Sequence, residues 1–319
     1  MATTIEERAA QAGGSPREPI AGVWCPVLTP VDQDLRPDAP RFVAHARWLL
    51  DQGCHGLVVF GTTGEANSFS VDERTEFLDA ILEAGLPRHR MLVGTGCCAL
   101  TDTVRLTSHA LSRGVAGVLA LPPFYYKNLT DEALFNSFDE AIQRVGDSNF
   151  KLYLYHFPSL SGVPITPGLL ERLGAAYPGI LAGVKDSSGD WNNTKLLIER
   201  FSDVAIFPGA ETLLLPALQA GGAGCISASC NVNTRQIRQL YDDFKAGERD
   251  LAEQQERLNA VRKVLQLRPM IPVTKHLIAD ERGDAAWGRV RPPLLPLPEV
   301  EASALESELS AFGWRMGQA

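Results

Sequence analysis

The chain has 319 residues, 45% of them apolar and 21% charged, and 30 Lys and Arg against 38 Asp and Glu give a net charge of −8. This excludes a disordered chain, which would be poorer in apolar residues and richer in charge. The acidic balance argues against a nucleic-acid binder, which needs a basic face to meet phosphates.

Residues 1–19 hold early acids and no apolar stretch, so they read as a flexible extension and not as a secretory signal. Beyond them, short apolar runs alternate with segments of helical period. Strands are expected at 23–28, 56–60, 91–94, 117–121, 151–155, 180–184, 205–207 and 224–227. Helices are expected between them at 39–52, 71–84, 102–113, 131–144, 167–175, 192–201 and 212–220. Strands that alternate with helices form parallel βαβ units. Eight strands of continuous apolar character fit a closed (β/α)8 TIM barrel over residues 20–230. A doubly wound open sheet is the alternative. Residues 231–319 read as a C-terminal helical extension and tail, with two or three helices between about 234 and 280 and a short amphipathic one near 300–312. No apolar run reaches the roughly 18 residues of a membrane span, so no membrane partner is expected.

The six cysteines form no CxxC pair and read as free thiols in a reducing cytoplasm. The six histidines show no metal-ligand spacing, and no metal is expected.

Chemistry in a TIM barrel sits at the C-terminal ends of the strands. Of the 30 cations only seven are lysines, so few amines are on offer. Lys185 directly follows the apolar run Leu181-Ala182-Gly183-Val184, which would present it in the barrel mouth. Burial disfavours a charged ammonium, and a neutral lysine attacks carbonyl carbon to form a Schiff base. The bland alternative pairs Lys185 with Asp186 or Glu65. Lys151 lies at the wrong end of its strand, Lys195, Lys245 and Lys263 sit on helix patterns, and Lys275 lies in the extension. Lys127 is on the correct rim but in a loop. Gly61-Thr62-Thr63-Gly64-Glu65 offers hydroxyls and backbone N–H groups that suit a carboxylate, although an ordinary Gly-rich turn has the same letters. Tyr155 could relay a proton on that rim or simply pack. His156 would face away from the barrel axis. Ser227 adds a hydroxyl at the end of the eighth strand.

Four of these segments, in this order, resemble the dihydrodipicolinate synthase / N-acetylneuraminate lyase family of pyruvate-dependent class I aldolases. They are Gly61–Glu65, Phe124-Tyr125-Tyr126, the Tyr155-His156-Phe157-Pro158 run and Lys185 in GVKDSSGD. The resemblance covers roughly residues 20–298. It implies that Lys185 forms the Schiff base with pyruvate or another 2-keto acid and that Thr63 and the N–H groups around Gly64 hold its carboxylate. It implies that Tyr155 shuttles the proton and that Thr62 links Tyr155 to Tyr125, a residue given across a dimer interface. It also implies a homotetramer built as a dimer of dimers, a small aldehyde as second substrate, and no cofactor.

Two positions depart from the pattern. The lysine-pathway synthases carry an Arg where this chain has Leu160, and an apolar side chain does not clamp a carboxylate. The neuraminate-lyase branch carries an acid pair where this chain has Glu211 and Thr212. One acid and one hydroxyl suit a polar acceptor smaller than a sialic acid. The sequence therefore points to an aldolase or lyase acting on a 2-keto-3-deoxy or 4-hydroxy-2-oxo acid. The alternatives are 4-hydroxy-tetrahydrodipicolinate synthase, a Schiff-base dehydratase or deaminase, and a keto-acid-binding sensor without turnover.

Overall fold

In the computed structural model, which describes residues 20–318, eight parallel strands form one sheet in the order β7-β6-β5-β4-β3-β2-β1-β8. The strands are β1 (Gly22–Pro26), β2 (Gly56–Val59), β3 (Met91–Gly94), β4 (Gly117–Ala120), β5 (Leu152–His156), β6 (Leu181–Asp186), β7 (Ala205–Pro208) and β8 (Gly224–Ile226). A backbone hydrogen bond from Ala223 N to the Ile206 carbonyl, 3.0 Å, ties the entry of β8 to β7. The sheet thus curls into a nearly closed TIM barrel, and the open doubly wound sheet is excluded. The segment read as an extension, residues 1–19, lies outside the described residues.

The helices are α1 (Ala39–Asp51), α2 (Val71–Glu83), α3 (Leu100–Ser112), α4 (Asp131–Val145), α5 (Pro158–Ser161), α6 (Pro167–Ala176), α7 (Trp191–Arg200) and α8 (Leu214–Gln219). Beyond β8 come α9 (Cys230–Ala246), α10 (Ala252–Leu265), α11 (Met270–Arg282) and α12 (Glu299–Ser310). Among the described residues no helix is long and apolar enough to cross a membrane. Local chemistry sets the helix starts. Ser70 and Glu73 form a reciprocal capping box on α2, and Thr130 and Thr166 cap α4 and α6. Each cap contributes about 1 kcal/mol. The short helix α5 escapes sequence reading because four residues show no period. The helix expected at 212–220 starts late because Glu211–Leu213 first make a 3-10 turn.

Apolar residues sort into three clusters. Trp24, Val58, Leu92, Leu119, Tyr153, Phe207 and Ile226 fill the barrel interior. Val23, Cys25, Leu57, Val59, Val93 and Leu154 face the surrounding helices. Val261, Val264, Leu265, Val273, Leu277, Trp287 and Leu305 form a separate core within the C-terminal helices, joined to the barrel through Leu28.

One irregularity decides where the chemistry sits. The pairing of β5 with β6 slips between Leu152 and Tyr153: Leu152 pairs with Leu181, but Tyr153 pairs with Gly183. Ala182 is the extra residue of a β-bulge. Strict alternation from Leu181 would put residues 183 and 185 on the helix-facing side with it. The bulge reverses that parity, so Lys185 pairs with Tyr155 and shares the inner face. The inner face is crowded there: a Cβ on Gly183 would stand 2.5 Å from Tyr153 Cδ1 and 2.7 Å from the Ala205 carbonyl oxygen. Gly183→Ala is therefore expected to destabilise the protein by about 1–3 kcal/mol, the range for forcing atoms into a packed core. Urea denaturation checks this, and an unchanged midpoint would show that the bulge tolerates a side chain.

Candidate active site

A cavity of about 610 Å³ opens at the C-terminal ends of the strands, lined among others by Thr62, Thr63, Tyr155, Leu160, Lys185 and Arg262. Its apolar wall comes from Met270, Ile271 and Leu294 of the C-terminal region.

Lys185 is only 3% exposed, and its Nζ stands 4.2 Å from the centroid of the Tyr155 ring. Both acids that the sequence offered it are engaged elsewhere. Asp186 accepts from Thr194 Oγ1 (2.7 Å), Asn193 Nδ2 (2.9 Å) and Ser188 N (2.9 Å). Glu65 pairs with the wholly buried Lys275 and accepts from Arg291 N (2.9 Å). The bland reading of Lys185 therefore loses both its partners. Burial holds the Lys275 amine below the usual lysine range, with Glu65 opposing that shift.

Thr62 Oγ1 donates to the Tyr155 hydroxyl at 3.4 Å. Tyr153, two residues earlier, has a different role. Its hydroxyl accepts from Ile20 N (3.2 Å) at the opposite end of the barrel, and burial pushes its phenol up to about 12. His156 faces outward, where its Nδ1 accepts from Ile165 N (2.9 Å). Burial lowers the His156 imidazole below its usual range, with Asp186 opposing.

The turn after β2 is held from behind. Glu65 takes a left-handed backbone (φ 57°), a conformation rare for a residue with a Cβ. Its N–H closes on the Thr62 carbonyl (3.0 Å), and Thr29 Oγ1 donates to the Gly64 carbonyl (2.8 Å). A Cβ on Gly64 would stand 2.9 Å from the Val27 carbonyl oxygen. Among the described residues no protein acceptor takes the N–H groups of Thr62, Thr63 or Gly64. Successive free N–H groups in a tight turn attract an anion.

The remaining candidates separate. Leu160, on α5, is 63% exposed at the cavity rim. Tyr125 is 74% exposed on the loop after β4 and stacks edge-on with Tyr126. Lys127 of that loop donates to the Ser161 carbonyl at 2.7 Å. Glu211 and Ser227 are fully buried and bond to each other, and neither lines the cavity. Their Nη1 partner, Arg262 of α10, does line it. Arg262 is absent from the sequence expectations, and Lys275 is set aside there as part of the extension, because each acts across a long chain separation. The acid at Glu211, far from any cation in sequence, was the only local sign of the first. Among the described residues no group of His, Cys, Asp or Glu is arranged to hold a metal ion.

A family model described as the dihydrodipicolinate synthetase family matches residues 19–312. The chain belongs to this family. A DapA-like lyase of Chloroflexus aurantiacus is 37% identical over 287 residues, covering 90% of this chain and 95% of its own. The crystal structure of dihydrodipicolinate synthase from Agrobacterium tumefaciens superposes with a TM-score of 0.85 at 32% identity, covering 91% of this chain and 99% of that one. The prophage protein YagE of E. coli K12, solved in complex with pyruvate, gives 0.83 at 26% identity, covering 92% and 98%. Members of the family are class I pyruvate-dependent lyases and aldolases, and this chain is an enzyme of that class. The keto-acid sensor is set aside.

Removing one partner of a buried ion pair leaves an uncompensated charge at a cost of about 3–5 kcal/mol, whereas replacing both is close to neutral. Lys275→Met and Glu65→Gln should each destabilise by roughly that amount, and the double variant should recover most of the loss. A thermodynamic cycle from chemical denaturation checks this; simple additivity would refute the coupling.

Proposed function

We propose that the protein is a Schiff-base lyase that breaks or forms a carbon–carbon bond between pyruvate and a small aldehyde, acting on a 2-keto-3-deoxy or 4-hydroxy-2-oxo acid. The observation that carries this is Lys185: a buried amine over the ring of Tyr155, in a cavity, with both neighbouring acids occupied. The N–H groups of Thr62, Thr63 and Gly64, with the Thr63 hydroxyl, receive the C1 carboxylate. Lys185 Nζ attacks C2; the carbinolamine loses water and becomes an iminium. The iminium draws electrons from the C3–C4 bond as Tyr155, which has passed its own proton to the departing water, takes the proton of the C4 hydroxyl. The aldehyde leaves, and the enamine gains a proton at C3. Water then attacks C2, returning pyruvate and the free amine. Thr62 orients the Tyr155 oxygen throughout, from 3.4 Å.

The exposed Tyr125 reaches this relay from a second subunit, in a cytoplasmic homotetramer arranged as a dimer of dimers. Its exposure of 74% within one chain supports that role. The synthase reaction, which several relatives' names suggest, is disfavoured by Leu160, since an exposed apolar side chain offers no clamp for a second carboxylate at that position.

Borohydride with pyruvate should attach one reduced adduct to Lys185, read by peptide mass spectrometry. Its absence, or its appearance on another lysine, would overturn the assignment. Tyr155→Phe should lower turnover by about 10²–10⁴-fold, the usual worth of a positioned acid–base group, while the fold is kept. Unchanged turnover would remove Tyr155 from the relay.

A further inference from the structure

Arg262 reaches the cavity from α10, beyond the ends of β7 and β8. Its guanidinium is held mainly at one corner. Nη1 donates to Ser229 Oγ at 3.1 Å, Ser227 Oγ at 3.3 Å and Glu211 Oε2 at 3.4 Å. Nε meets Gln266 Oε1 at 3.4 Å. Nη2 has no protein acceptor among the described residues. The Glu211 contact is longer than the roughly 2.7–2.9 Å of a charge-assisted hydrogen bond, so it orients the cation without saturating it. Glu211 is itself fully buried, and its Oε1 has no partner in the described structure. A buried acid in that state serves to fix the arginine in front of it. Gln266, four residues on from Arg262, lines the same cavity.

Besides Lys185, Arg262 is the cationic side chain of this cavity. The C1 carboxylate has the turn after β2, and Lys185 has the C2 carbonyl. That leaves a forked donor facing the rest of the substrate. We propose that Arg262 is a specificity-determining residue that binds an anionic terminal group on the substrate, a carboxylate or a phosphate. The substrate is then an anion at both ends. This rests on Schiff-base formation at Lys185.

The test needs no turnover. Borohydride-trapped adducts at Lys185 are titrated on the full-length protein with 2-oxopentanoate, with 2-oxoglutarate, which differs only in a terminal carboxylate for methyl, and with a 2-oxo acid ending in phosphate. The expected result is half-saturation at about 10–100-fold lower concentration for an anionic tail, the worth of one charged hydrogen bond. The better of the two anions names the class. In Arg262→Gln that preference should vanish, and in Arg262→Lys, which keeps the charge but not the fork, it should fall partway. Should Arg262→Gln fail to fold, the Lys variant and the unmodified protein decide alone. Equal half-saturation for the neutral and anionic tails in the unmodified protein, or a preference untouched by substitution, would overturn the proposal. Pyruvate trapping on the unmodified protein reads the Schiff base separately: an adduct with no tail preference sinks only the role of Arg262, and no adduct sinks the Schiff base.

Discussion

A lysine and a glutamate with no exposed side-chain surface hold the active site together: Lys275 of α11 against Glu65 of the turn after β2. Taking both charges out of water costs several kcal/mol, and good geometry with further hydrogen bonds must offset it. Both groups have those bonds. Glu65 also accepts from Arg291 N, and Lys275 also donates to the Arg289 carbonyl at 2.8 Å. The pair therefore joins three separate pieces of chain. It helps fix Glu65 in a left-handed backbone, in a turn whose N–H groups at Thr62, Thr63 and Gly64 have no acceptor among the described residues. It also seats the C-terminal helices on the barrel mouth. Arg262, Met270 and Ile271 reach the cavity only because those helices are docked there.

The barrel is legible in the chain because its strands open on short apolar runs and most of the helices between them are amphipathic. Eight repeats of that alternation leave few topologies. Lys185 is legible because lysine is scarce and the other six have places of their own. The partner of Glu65 is not legible: the bland reading offered it to Lys185 on the same rim, whereas the structure pairs it with Lys275, 210 residues away. The bulge at Ala182 is hidden for a different reason. Leu181-Ala182-Gly183-Val184 is apolar on both faces, so no alternation marks the slip. Only the lack of a side chain at Gly183 hints that the backbone is crowded there.

Glu211 shows how a residue type can be read correctly and placed wrongly. An acid after the seventh strand suggests a group that meets substrate hydroxyls. The structure buries it completely against Ser227 and turns it to hold Arg262. The local letters are the same in both cases, and only α10 decides between them. A buried carboxylate without a cation nearby would be too costly to keep, so the presence of Glu211 required an arginine or lysine from somewhere distant.

The net charge of −8 takes on meaning once these pairs are drawn. A chain that repels anions at long range must attract them at short range, inside a cavity where water screens little. The site answers this with oriented donors: three backbone N–H groups, a lysine without an acid partner among the described residues, and a guanidinium held mainly through Nη1. Each of the acids beside them is occupied by internal hydrogen bonds or set back behind the wall. Oriented donors thus gather at the mouth of an acidic molecule, which is the arrangement that the proposed 2-oxo acid substrate needs.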